Sequence, residues 1–427
     1  MKSLKDKLLQ LLSNRTAHII LFFAYYVLMV VEYGHFVCPH FPHLHFQWIY
    51  SAATVIWGAL LLVALALCIF WLKPSSSFAY ALSIFAAVLF GVPAIVFFQF
   101  GGGSVFPCLY ALLFTFLISS HWLQIPSFKS PIVPQRLQMP ALLVLALLAL
   151  LPFILTYGTN LHFNAFSMGT EVYDAREAAQ LHTTALTAYL FGPLVKVLLP
   201  LLLVYGVWRR NGWVIAFATV AMLYIFLVNP HKAVVLSLFL VLAFCLFDDY
   251  EVKAGFVLFG VVLMVAAGAL FTLTTGNILP ESIMVRRMFF TPAQLSSVYF
   301  AYFEHNHLYL SHSILSHFFV YPYELDPPHL IGYYMYGRTN VSCNTGFIGD
   351  GFMNFGHWGA VAFTIGTVAV FRFFECLKMR PIFFGVVVLT LFTFLNGAFL
   401  TSLLTHGVLC FMLIALFFLK TDNDLKE

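Results

Sequence analysis

The chain has 427 residues, of which 62% are hydrophobic and only 9% charged. A soluble domain carries about 25% charged residues, so the composition excludes a soluble enzyme and points to a polytopic membrane protein. The net charge of +4 follows from how basic residues are distributed along the apolar runs, and is not a nucleic-acid signal.

A spanning helix needs about 20 predominantly apolar residues. About twelve such runs lie near 17–33, 48–72, 77–99, 104–122, 140–157, 185–207, 212–229, 232–248, 254–274, 358–374, 382–401 and 404–420. They predict an all-α integral bundle forming one membrane domain over 1–427. The opening MKSLKDKLLQLLSNRT is followed by no small-residue cleavage site, so it reads as an interfacial lead-in to an uncleaved first helix. Basic residues avoid the translocated side. With the N-terminus inside, 15 of the 21 Lys and Arg fall on the inner face, Lys2, Lys73, Lys129 and Lys426 among them, and the C-terminus is inside too. The six left over are Arg176, Lys196, Lys232, Arg286, Arg287 and Arg338. Cations kept in or beside a hydrophobic body on the disfavoured side suggest work on an anion.

The first outer segment, GHFVCPHFPHLHF (34–46), is rich in His and Pro. An inner loop, SFKSPIVPQRLQMP, is a plain connector. The second outer segment, 158–184, contains VYDAREAAQ, with Arg176 among Glu171, Asp174 and Glu177. One reading is a solvated helix with local ion pairs worth at most ~1 kcal/mol. The other is a guanidinium aimed at a phosphate and oriented by the acids. Lys196 lies within the sixth run, where an ammonium costs about 2.5–3.5 kcal/mol, so it must find a partner or face water. NPHK (229–232) is either a tight outer turn or a break in a longer, re-entrant element. Lys232 either snorkels there or serves a site.

The third outer segment, 275–357, is expected to fold as a cap on the bundle. Arg286 and Arg287 in SIMVRRMFFTP would point about 100° apart on a helix, one toward a ligand and one toward solvent or headgroups. Thr291-Pro292 suits a helix start, and Leu295, Val298, Tyr299 and Tyr302 recur at helical spacing. A second helix is expected over 307–319, with the prolines of YPYELDPPH ending helical structure. Fourteen of the 16 histidines are outer-facing in this topology. HLH and HNH pairs make a metal conceivable, but no carboxylate-rich or H-E-x-x-H element accompanies them. A single histidine acting as base is the stronger reading, with His312 and His317 best placed. Cys38 and Cys343 are both outer and could pair.

The run SCNTGFIGDGFMNFGHWGA (342–360) is the most specific constellation. Its glycines permit tight backbone geometry, and Asn344, Asp350 and Asn354 place polar groups at the water boundary. The plain alternative is a Gly-rich turn by which the loop re-enters the membrane.

Here the chain resembles the O-antigen polymerases, the Wzy-type oligosaccharide repeat-unit polymerases. The resemblance rests on N-T-G-F-I-G-D-x-x-x-N-F-G-x-x-G before the tenth run, on Arg286 and Arg176 in the two larger outer segments, and on Lys232. It implies a glycosyltransferase of the bacterial inner membrane with its active site on the periplasmic face. The growing glycan would pass from undecaprenyl diphosphate to the terminal sugar of a new lipid-linked unit. Arg176, Lys232, Arg286, Arg287 and Arg338 would hold diphosphates, and Asn344 and Asn354 would contact substrate. His312, His317, Asp350 or Glu304 would deprotonate the acceptor hydroxyl. No cofactor and no metal are expected, and a chain-length regulator is a conceivable partner. An O-antigen ligase shares the architecture, and a lipid-linked oligosaccharide flippase or other transporter is the rival from a different class.

Overall fold

The computed structural model describes residues 4–72, 74–126, 130–166 and 171–421. Lys2, Lys73, Lys129 and Lys426 lie outside them, as do the side chains of Glu171 and Asp174. Among the described residues every regular element is helical. Each of the twelve apolar runs coincides with a helix, and seven helices are long and apolar enough to cross a membrane. Five are shorter: Phe106–Ser119, Gly212–Val228, Lys232–Phe244, Pro381–Asn396 and Val408–Leu419. Two compact units can be distinguished in the chain.

The first unit comprises 1–124, 249–372 and 394–399. Its centre is the Ser77–Phe100 helix, 94% buried over its most apolar stretch. At one end Arg15 meets Glu251 at 2.6 Å. There the buried Arg372 donates to Ser75 Oγ and to the Leu117 and Ser120 carbonyls. The second unit comprises 125–248, 373–393 and 400–427 and is centred on Ala185–Trp208. A sharp turn leads into Gly212–Val228, with Arg210 at φ +52° and the Asn211 side chain accepting from the Trp213 and Val214 amides.

Four π turns share one cause. Tyr33–Val37, Ala87–Gly91, Leu194–Leu198 and Ser282–Phe290 are each followed, at the second residue of the next helical stretch, by Pro39, Pro93, Pro200 or Pro292. Proline lacks the N–H that the carbonyl four residues back would accept, and its ring crowds that carbonyl. The preceding turn widens to i→i+5 bonding. His35, Lys196, Arg286 and Arg287 therefore all sit on widened turns.

The 275–357 segment folds, but it does more than cap. Leu279–Glu281, Ser282–Phe290 and Thr291–Tyr302 run continuously. Val285, Phe289, Phe290, Ala293, Tyr299, Phe300 and Phe303 are buried there, with Thr291–Tyr302 packed on Ser77–Phe100 and Phe106–Ser119. This stretch belongs to the core of the first unit because its apolar residues face all round. The helix start at Thr291-Pro292 continues from the π turn. The second helix expected over 307–319 does not form. Tyr309 and Leu310 take φ of +52° and +57°, and turns follow. The prolines of YPYELDPPH do break the chain, but Pro327 then opens a new helix, Pro327–Tyr336, because its missing N–H is not needed at a first helical position. Cys38 and Cys343 are both free thiols.

Candidate functional site

In the first unit a cleft of about 670 Å³ opens between the 44–46 segment, Gly102–Phe106, Thr291–Tyr302 and the start of the Phe347–Cys376 element. Its walls are aromatic, with Phe97, Phe106, Phe300, Phe352 and Tyr334. Six polar side chains reach it: His45, Ser104, Gln294, Ser297, Glu304 and His357. This combination of size, apolar walls and few polar groups suits a small ligand or part of a larger one.

Each polar group is placed by a local cause. Gln294 and Ser297 lie on one face of Thr291–Tyr302. The Gln294 Nε2 donates to the Leu44 carbonyl at 2.8 Å, while its Oε1 is buried without a partner and the residue is 2% exposed. The Ser297 hydroxyl accepts from the Ser104 amide at 3.2 Å. Glu304 follows directly on the end of that helix and is exposed. His45 donates through Nε2 to the Met335 carbonyl at 2.8 Å, which leaves Nδ1 as its basic nitrogen, and its ring stacks on Tyr336. The His357 Nδ1 meets the Tyr110 hydroxyl at 2.9 Å, and its ring lies 4.4 Å from Phe106.

Arg286 does not line this cleft and is linked to it through Tyr336, which stacks on His45. Its guanidinium lies 4.4 Å from the centre of Phe41, its Nε donates to Ser282 Oγ at 3.2 Å, and its charge acts on Tyr336. The neighbouring Arg287 is exposed, so the two point apart. Arg338 and Asn344 are exposed as well. Arg338 follows Gly337, whose φ of +65° ends the Pro327–Tyr336 helix.

The 342–360 run is a folded-back pair of helices. The Phe347–Cys376 element breaks at Phe355 and Gly356, where Gly356 has φ +62° and ψ −149°. The two halves touch backbone to backbone. A Cβ on Gly351 would lie 2.5 Å from the Gly359 carbonyl oxygen. The re-entry turn is thus the part of the motif the glycines explain. Asp350 is 2% exposed and accepts from the Phe399 amide at 2.7 Å and from Asn354 Nδ2 at 2.9 Å. Asn354, at 0% exposure, accepts in turn from the Leu310 amide at 2.9 Å. Both side chains therefore tie 308–310 and 399 to the short half-helix, and neither reaches the cleft. The expected roles of Asp350 as a base and Asn354 as a substrate contact thus find no support in this cleft.

His312 and His317 do not line the cleft either. The His312 ring faces Tyr321, its Nδ1 is buried without a partner, and burial lowers its basicity, with Asp326 acting against that. His317 is exposed. His357, His45 and Gln294 occupy the cleft instead; of these only His45 entered the sequence reading, through its HLH pair. His357 carries no sequence pattern of its own; the break at Gly356 aims it at the cleft.

In the second unit Arg176 caps the 229–231 turn, its Nε and Nη2 both donating to the Pro230 carbonyl at 3.2 and 3.0 Å. Lys232 opens the helix that follows, with His231 as its N-cap. Arg176 and Lys232 thus share one turn of the second unit. Among the described residues no group of three or more His, Cys, Asp or Glu could hold a metal ion. No family model, curated protein or solved structure matches the chain.

Proposed function

We propose that the chain is a glycosyltransferase of the bacterial inner membrane that polymerises undecaprenyl-diphosphate-linked repeat units on the periplasmic face. The observation that carries this reading is the first unit's cleft. One carboxylate, Glu304, lines it among aromatic and polar groups, and the Arg286 guanidinium, outside the lining, acts on Tyr336, whose ring stacks on the cleft's His45. Flat aromatic faces suit the apolar faces of sugar rings, and the amide and hydroxyl groups of Gln294 and Ser297 suit sugar hydroxyls. The distribution of charge in the second unit also fits the sidedness. Arg209 and Arg380 lie on Trp208 near one end of Gly212–Val228, while Arg176 lies at the other. That helix of 17 residues is about 25 Å long.

In this reading Glu304 takes the proton of the acceptor hydroxyl, whose oxygen bonds to the anomeric carbon. The bond from that carbon to the diphosphate breaks, and undecaprenyl diphosphate leaves with the electron pair. Cations stabilise the charge as it builds. One pair at 4 Å contributes about 4 kcal/mol at an effective dielectric of 20, so two such contacts matter to the rate. Arg286 is the first candidate for this role, with Arg287, Arg338 and Asn344 as exposed groups within the same unit.

A glycan gel from cells carrying Glu304→Gln or Arg286→Ala tests the proposal. Long chains should vanish while single-unit product remains. A ligase would lose that single unit too, and a transporter would leave no lipid-linked units to join. Normal long chains in both variants would remove the cleft from the chemistry.

A further inference from the structure

Two buried carboxyl groups meet inside the first unit, and the cleft uses neither. Glu32 ends the Arg15–Glu32 helix and is 4% exposed, and Glu281 ends Leu279–Glu281 and is 3% exposed. Each is the last residue before a π turn, Tyr33–Val37 in one case and Ser282–Phe290 in the other, and these two turns pack on each other. The Tyr250–Thr275 helix closes one side of the junction, where a Cβ on Gly268 would lie 3.6 Å from the Glu281 Cα.

The Glu32 side chain is within hydrogen-bonding reach of that of Glu281. An ionised carboxylate only accepts, so two of them cannot bond to each other. Like charges this close, and away from water, are not both kept. The two ion pairs among the described residues, Arg15 with Glu251 and His329 with Asp326, leave these acids out. The Glu32 Oε2 is also buried without a partner. An orphaned acceptor oxygen beside a second acid calls for a positive species between them.

The surrounding groups do not supply it. On the two π turns, His35 and Arg287 are exposed, Tyr33 donates to the Gln47 carbonyl, and the Arg286 guanidinium lies against Phe41. The packed helices Ala52–Phe70, Ser77–Phe100 and Tyr250–Thr275 hold their titratable residues, Cys68, Tyr80, Glu251 and Lys253 among them, toward the end of the unit marked by Arg15. Of all these, the one group whose charge acts on Glu32 is Glu281.

We propose that Glu32 and Glu281 form a binding site for one exchangeable proton, held in a hydrogen bond between the two carboxyl groups. Sharing it leaves a single negative charge, and the bond joins the first helix to the stretch that continues into Thr291–Tyr302. Loss of the proton sets two like charges against each other at the entrances of both π turns and loosens that junction. Buried acids in a membrane-embedded bundle recur as proton carriers for this reason. The site stands on its own geometry and does not depend on the polymerase reading.

The test is infrared difference spectroscopy on the full-length protein in phosphatidylcholine vesicles, stepped between mildly acidic and alkaline buffer. The native protein should show a neutral-carboxyl C=O component that disappears in alkali and shifts in heavy water. Glu32→Gln and Glu281→Gln should each remove it, because the new amide donates the hydrogen bond and leaves the remaining carboxyl ionised. If neither variant purifies, the native protein gives a second reading with a hydrophobic carbodiimide, which adds to neutral carboxyl groups. Mass spectrometry should then find Glu32 or Glu281 modified in acidic buffer and several-fold less in alkali. A component that either Gln variant keeps, or, without those variants, no modification of either carboxyl, overturns the inference. So does a component that sodium chloride abolishes and choline chloride does not, since the occupant would then be a metal cation.

Discussion

Replacing Asp350 by Ala should damage the fold rather than the chemistry. The carboxylate is fully enclosed and accepts from the Phe399 amide and from Asn354 Nδ2. Asn354 keeps a second acceptor, the Asp350 carbonyl at 2.9 Å, but Phe399 N–H has no other partner in reach of the side chain removed. A stranded buried donor costs about 1–3 kcal/mol. With the looser Asn354, which also holds the Leu310 amide, the total is about 2–4 kcal/mol. The thermal midpoint of the purified protein, followed by fluorescence-detected size exclusion, should fall by roughly 5–10 °C. Asp350→Asn should fall between the two, since it keeps one acceptor oxygen but turns an N–H toward the other donor. A native midpoint in Asp350→Ala combined with lost glycan transfer would refute this reasoning and return Asp350 to the active site.

Two further outcomes follow from other parts of the structure. Gly351→Ala forces a methyl to within 2.5 Å of a backbone oxygen that cannot swing away; overpacking of this kind costs about 1–3 kcal/mol, and a native midpoint would show that the two half-helices are not in contact. His231 sits in the 229–231 turn, where burial first, then Arg176 and Lys196, push it down to about 4 from its usual 6.5. It is therefore neutral in the folded chain and takes up a proton on unfolding. Its contribution is whole above pH 6.5 and is lost as pH falls toward 4, by up to about 3 kcal/mol. Midpoints measured between pH 7.5 and 4.5 should show a shallower acid limb for His231→Asn than for the native protein, and identical limbs would contradict the assignment.

Apolar runs are legible in a sequence because a chain in contact with hydrocarbon must close its backbone hydrogen bonds locally. All twelve runs are helices for that reason. The π turns were not read from the sequence: Pro39, Pro93, Pro200 and Pro292 follow four of them, but Pro140 and Pro152 sit inside a helix with none. Three further things were not legible. The 282–303 stretch reads as part of a surface cap with a helix from Thr291, because Arg286, Arg287, Gln294 and the serines interrupt its apolar residues, yet it is packed into the core of the unit. Asp350 and Asn354 look like site residues because buried scaffolding bonds and substrate bonds draw on the same side chains. His357 was hidden because one imidazole among 16 carries no pattern of its own, and only the fold at Gly356 aims it at the cleft.

Polymerisation of lipid-linked units is tested in a reconstituted reaction. The purified protein in phospholipid vesicles would be given chemically defined undecaprenyl-diphosphate-linked repeat units and the products separated by length. The account predicts a ladder of lipid-linked glycans with release of undecaprenyl diphosphate, lost in Glu304→Gln at unchanged protein stability. Units that remain single with the native protein, or a ladder that persists in Glu304→Gln, would contradict it.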